Sequence, residues 1–293
     1  MTNHTTEARA VQRIIRSVRA SDGAGVRMRR SLGQTPDARV DPFLMLDEFG
    51  TDNPDDYIAG FPSHPHRGFE TVTYMLEGHM QHRDHLGNQG DLTPGAVQWM
   101  TAGRGIIHSE MPQQTQGRMR GFQLWINLPA AEKMKEPGYR DIPPSEIPAV
   151  ALDGGVAVKG IAGELHAAGV TTPGPVRGIS TEPFFIDVTL PPGAAFEHLL
   201  PRAHSAFVYP YEGVVEVGET DKRTVSAHEA GVLSEGGRVV LTAGAEGARM
   251  LLLAARPLRE PIAQYGPFVM NTREEIEQAV RDYRDGRFVP VPY

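Results

Sequence analysis

Donor side chains recur at every second position in two short stretches of this chain, His64-Pro-His66 and His108-Ser-Glu110. In a strand, side chains i and i+2 lie on one face with Cα atoms roughly 6.5–7 Å apart, close enough to converge on one ion. The spacing therefore asks for two extended segments, each contributing two donors, around a common centre. Val72, Tyr74 and Leu76 share the parity of the first pair, and Ile106 precedes the second. Both donor faces are thus expected to look into one core.

Three neutral imidazoles and a carboxylate form a donor set of intermediate hardness, compatible with Fe(II), Mn(II), Co(II), Ni(II), Cu(II) or Zn(II). An octahedral ion held by four protein ligands keeps two open positions, which a chelating or anionic substrate and dioxygen can share. A closed tetrahedral zinc would only hold the fold together. One His-x-His would be weak evidence, because such pairs are commonly surface or core residues. Here six of the eleven histidines fall between residues 64 and 108, and the second pair carries a glutamate.

The punctuation around these stretches is that of an all-β protein. Glycine and proline number 32 and 24 in 293 residues, and they separate short apolar segments: 69–76, 96–100, 122–128, 184–190, 206–209, 214–217 and 250–254. Such spacing predicts a barrel or sandwich. One helix is expected near the C-terminus, where Thr272 and Glu275 have capping-box spacing and Ile276, Ala279, Val280 and Tyr283 form an apolar stripe. The Pro-, Lys- and Glu-rich stretch 129–148 reads as a linker. It divides the chain into a metal-binding domain at 1–140 and a second domain at 148–293 that carries the terminal helix.

The remaining composition narrows the function. No apolar run approaches the roughly 20 residues of a membrane helix, and the N-terminus has no signal-like apolar core. The absence of cysteine removes disulfides, thiolate zinc sites and cysteine nucleophiles, and fits a cytoplasmic protein. A net charge of −7 argues against general nucleic-acid binding. The arginines at 9, 13, 16, 19, 27, 29, 30 and 39 are expected on exposed faces of early strands. Around the donors, Phe61 and Phe69 are candidates for a pocket lining, Trp99 and Met100 for core packing, and Glu70 for a partner of Arg67 or Arg104. His82 has hydrogen-bonding reach of the site, but His79, His82 and His85 all fall around an expected hairpin and cannot all face inward, so most of the three are expected to face solvent.

Tyr74-Met-Leu-Glu77-Gly78 has a counterpart in Tyr209-Pro-Tyr-Glu212-Gly213, which suggests an internal duplication. Sliding one half onto the other in this register puts Leu199 and Pro201 at the positions of His64 and His66. The second copy then has no ligand pair.

Longer strings make the resemblance specific. Pro42-Phe-Leu-Met-Leu-Asp47-Glu48-Phe49, His64-Pro-His-Arg-Gly-Phe-Glu-Thr71, Gln98-Trp-Met-Thr-Ala-Gly-Arg-Gly105, His108-Ser-Glu-Met-Pro112, Gln123-Leu-Trp-Ile-Asn-Leu128 and Gly266-Pro-Phe-Val-Met-Asn-Thr272 closely resemble the pirin family, within the cupin superfamily. The resemblance implies two tandem cupin (jelly-roll) β-barrels, the first holding one divalent metal. Fe(II) comes first, with Mn, Co, Ni, Cu and Zn as alternatives. It maps the ligands onto His64, His66, His108 and Glu110, with Glu110 also the catalytic base. It implies a monomeric quercetin 2,3-dioxygenase, opening the heterocyclic ring of a flavonol with O2 and releasing CO. The alternative it implies is a non-enzymatic, iron- and redox-dependent regulator that binds protein partners, a transcription co-regulator or a modulator of metabolic enzymes. Neither reading includes direct nucleic-acid or membrane contact.

Overall fold

Among the described residues, alternating short apolar segments and turn residues fold into twenty-four strands and one α-helix. The computed structural model of the chain describes residues 7–167 and 169–289. It divides into two compact units: one comprises residues 19–30, 43–144 and 258–293, and the other residues 1–18, 31–42 and 145–257.

In the first unit, a seven-stranded antiparallel sheet runs in the order Gly138–Ile142, Val97–Thr101, Phe69–Glu77, Met119–Asn127, Phe43–Thr51, Val26–Leu32, Val18–Asp22. A four-stranded sheet completes the barrel, in the order Phe61–His66, Ile106–Pro112, Met80–Asp84, Gln89–Leu92. The second unit repeats the seven-strand order with Val11–Arg16, Glu229–Leu233, Ser205–Val217, Arg238–Ala255, Phe184–Leu190, Ala157–Ala162 and Ala149–Ala151. Its strands Ala195–Leu199 and Arg223–Ser226 pair with the long strands Arg238–Ala255 and Ser205–Val217. Each of those long strands does the work of two consecutive strands in the first unit. The duplication hinted at by the Tyr-x-x-Glu-Gly strings is therefore a whole-barrel repeat, with Gly78 and Gly213 both at positive φ, Gly78 between two strands and Gly213 at a break in register within Ser205–Val217.

The repeat also corrects two expectations. Division at 140–148 with the terminal helix in the second barrel does not describe these units. Gly138–Ile142 is an edge strand of the first sheet, and residues 258–293 join the first unit, while Val11–Arg16 pairs with Glu229–Leu233 in the second. The reason is that strand pairing is non-local, so an edge can be filled by a segment from far along the chain. The helix Arg273–Arg284 has the expected cap: the Thr272 hydroxyl accepts from Glu275 N at 3.2 Å, and the Glu275 carboxylate accepts from Thr272 N at 3.0 Å. It buries Ile276 and Ala279 against Phe268, Met270 and Phe288, leaving Val280 and Tyr283 largely exposed.

The second correction concerns the early arginines. Arg9 is fully buried, and its guanidinium donates to the carbonyls of Pro201, Arg202, His204, Ser234 and Gly236. Burial pulls its pKa down to about 10. Arg30 makes a bidentate pair with buried Asp47, at 2.7 and 2.8 Å.

Candidate metal centre

The Phe61–His66 and Ile106–Pro112 strands are antiparallel neighbours, with Ile106 opposite His66 and His108 opposite His64. This register brings three imidazoles together, with ring centroids 4.7 Å apart for His64 and His66, 4.4 Å for His64 and His108 and 4.9 Å for His66 and His108. One ring nitrogen from each lies within 4.8 Å of the others. Glu110 is on the same face two residues on and is buried, but it stands outside this group of three: its Oε1 accepts from the Thr73 hydroxyl at 2.9 Å.

Proton bookkeeping on the rings favours a cation. His64 donates Nδ1–H to Pro62 O at 2.8 Å, which leaves its Nε2 as a lone pair. His66 Nδ1 and His108 Nε2 are buried without a hydrogen-bond partner. Buried polar atoms are nearly always satisfied, so orphaned nitrogens within one cluster are what a metal-binding group looks like without its ion. Burial, followed by the mutual repulsion of the rings, holds His66 and His108 well below the usual imidazole range, so they stay neutral and able to coordinate.

The wall facing these donors is polar in one row and aromatic in the next. Across five strands of the large sheet, Asp47, Gln123, Thr73, Gln98 and Asp141 sit opposite one another in register. Thr73 lies 2.6 Å from Gln123 Oε1 as well as 2.9 Å from Glu110. One hydroxyl proton cannot serve both. Of the two acceptors, the charged carboxylate is the stronger. One pleat away, the row reads Met45, Trp125, Thr71, Met100, Tyr139. The Trp125 ring is 5.3 Å from His66, and the Tyr139 ring 5.0 Å from His82. Below the polar row, Phe49 and Met75 begin an apolar floor with Met28, Tyr57, Leu92 and Met119.

Several neighbours differ from expectation. Val72 and Tyr74 share the numerical parity of the histidines but face away from them, Tyr74 lying 6.3 Å from Phe122 on the reverse side. Gly68, at φ +89° between the two strands, breaks the alternation. Glu70 is on that reverse face too. It accepts from Thr101 Oγ1 at 2.7 Å and Trp99 Nε1 at 3.2 Å, with Lys135 4.0 Å away, and pairs with neither Arg67 nor Arg104. Arg67 instead bonds Arg104 O and Asp282, and Arg104 pairs with Glu136. Phe69 is fully buried, edge-on to His66 at 5.1 Å, so it supports a donor rather than lining a pocket, while Phe61 packs on the apolar floor. His82 is fully buried beside His108, unlike half-exposed His79.

In the second barrel, register replaces the earlier alignment. Val217 lies opposite Leu241 as His82 lies opposite Glu110, so Val239 stands at the position of His108, and His198, paired with Val239, at that of His64. Leu241 takes the place of Glu110. Val239 and Leu241 both belong to the apolar core. A pocket of about 430 Å³ in this unit is lined by His166, His198 and His204 together with Glu164, Arg177, Glu182 and apolar side chains. Among the described residues only His64, His66 and His108 form a group able to hold a metal.

Comparison with known proteins agrees with this arrangement. The pirin domain model matches residues 25–126, and that of the pirin C-terminal cupin domain residues 185–289. Over 267 residues, 91% of this chain and 93% of the relative, the sequence is 57% identical to the "Putative quercetin 2,3-dioxygenase PA3240" of Pseudomonas aeruginosa. It is 44% identical to pirin of Homo sapiens over 270 residues, covering 91% and 89% of the two chains. A crystal structure of quercetin 2,3-dioxygenase from Acinetobacter baumannii superposes with a TM-score of 0.87 at 33% identity, covering 97% of this chain and 99% of that one.

Proposed function

We propose, from the premise that the chain belongs to the pirin family, that it is a mononuclear metal dioxygenase acting on flavonols such as quercetin. His64, His66, His108 and Glu110 are its metal site, and Fe(II) is the ion put first. The observation that carries the reading is a cluster of three imidazoles, two of them with buried, partnerless nitrogens, beside a carboxylate that has its own hydroxyl donor outside the triad. A bound divalent metal supplies the electrophilic and redox chemistry through which the substrate oxygen and O2 meet. The protein does the rest. Glu110, two residues from His108 and anchored by Thr73, is placed to take the proton of the flavonol 3-hydroxyl on its carboxylate. The three histidines remain neutral and fix the geometry. Trp125 and Tyr139 offer ring faces on either side of the donors. They are separated by three strand spacings, roughly 14 Å, along one row of the sheet.

Anaerobic protein loaded with Fe(II), then mixed with quercetin and air, tests this directly. Oxygen uptake matched by CO release supports the dioxygenase, and both should vanish together with bound metal in His64→Ala and His108→Ala. Turnover by the metal-free variants would refute the mechanism. Redox-dependent capture of a protein partner without turnover would instead favour the regulator reading, for which the likeness to human pirin is the support. Elemental analysis of protein purified without added metal identifies the ion.

A further inference from the structure

We infer that His82 is a positioning residue that makes His108 present Nε2, and not Nδ1, to the metal. The inference rests on the proposed metal site. The Met80–Asp84 strand lies antiparallel to Ile106–Pro112, with His82 opposite Glu110 and Asp84 opposite His108. The His82 and His108 rings are 4.9 Å apart, and their Nδ1 atoms are 3.3 Å apart, within hydrogen-bond range. Two ring nitrogens can bond only if one carries a proton and the other does not. The triad decides which. His108 Nε2 is buried without a protein partner, and coordination through it requires the single proton of a neutral ring to sit on Nδ1. His108 therefore donates and His82 accepts.

A ligating histidine commonly donates its other N–H to a carboxylate or a carbonyl. Here the nearby carboxylates are engaged. Asp84 accepts from Leu86 N, Asn88 N and Asn88 Nδ2 in its own turn, and Glu110 is tied to Thr73. His82 fills the role with a neutral acceptor, which orients His108 without adding negative charge next to the ion.

The test compares two substitutions using Co(II) as probe, by chelator competition and by visible absorption of the bound ion. His82→Asn keeps an acceptor close to the place of Nδ1. His82→Phe keeps the ring volume and removes the acceptor. His82→Phe should bind Co(II) about 10- to 100-fold more weakly, with an altered spectrum, and His82→Asn should stay within about 3-fold of wild type. Equal affinity and an unchanged spectrum in His82→Phe would overturn the inference. So would a His82→Asn protein as weak as His82→Phe, since that result makes His82 itself a ligand. If His82→Phe fails to fold, His82→Leu replaces it, with near-ultraviolet circular dichroism confirming the barrel. Wild-type protein that takes up no Co(II) would sink the metal site beneath the inference.

Discussion

Replacing His198 by Phe should remove a specific acid sensitivity from the second barrel. His198 is 3% exposed, lies 4.6 Å from the Phe184 ring and accepts the His166 backbone N–H at 3.0 Å. Burial, then the neighbouring His166, lowers its pKa from 6.5 to about 4. Below pH 6.5 the unfolded chain takes up a proton that the folded barrel refuses until about pH 4. Stability is thus unaffected by this group above pH 6.5 and falls as the pH drops through that window. Between pH 7 and about pH 4.5 the loss is about 2 kcal/mol, at 1.36 kcal/mol per pH unit. Phenylalanine cannot titrate but forfeits the acceptor for His166 N, costing about 1 kcal/mol at pH 7. His198→Phe should therefore be less stable than wild type at pH 7 and more stable near pH 4.5. Urea unfolding of chelator-treated protein at both pH values reads this. With a slope of about 2 kcal/mol per molar urea, the wild-type midpoint should fall roughly 1 M further than that of the variant. Other buried histidines titrate alike in both proteins and cancel in the difference. Equal acid losses would refute the assignment of a buried, neutral imidazole at 198.

Three further outcomes are expected. Thr73→Val removes the donor to Glu110 while keeping its volume. Loss of a charge-assisted bond of about 1.5–3 kcal/mol should lower flavonol kcat/KM by about 10-fold or more, checked by steady-state kinetics beside Thr73→Ser, which should recover most of it. Gly68→Ala adds a Cβ that would meet Val269 O at 2.0 Å, at a φ of +89°, so the variant should lose well over about 1 kcal/mol in a thermal melt and shed metal with it. Thr272→Ala removes the helix cap and should cost about 1 kcal/mol, with hydrogen exchange rising through residues 273–284.

Much of the site was legible because strand parity is a local property: His64 with His66, and His108 with Glu110, needed only two-residue spacing. Parity stops at a break in the strand. Gly68 reverses the facing of the strand that follows it, so parity alone misses Thr73; Gln123, Trp125 and Tyr139 lie on other strands and reach the site only through strand register, Tyr139 from a stretch that reads as a linker. A glycine two residues after a donor pair, followed by a second extended run, was the available signal. Register between strands is not a local property either. The Tyr-x-x-Glu-Gly match aligned the two barrels at one point, yet it put Leu199 at the position of His64, where strand pairing puts His198. His198 emerges only from the pairing of its strand with Arg238–Ala255. The terminal helix was readable from its cap and stripe, but the surface it packs on was not, since Phe268, Met270 and Phe288 adjoin it only after folding.

The exchange of end segments between the barrels has a practical side. A single cut near residue 144 would strip the leading half of the segment 258–293, including Asp282, which grips Arg67 beside His66, and Val269, whose carbonyl accepts from buried Lys133 together with that of Gly68. The trailing half would be deprived of Val11–Arg16 and of the arginine whose fork gathers five carbonyls. Neither duplicated module can be bisected out of the gene intact. Any attempt to graft, swap or express one of them alone has to re-splice the chain in several places.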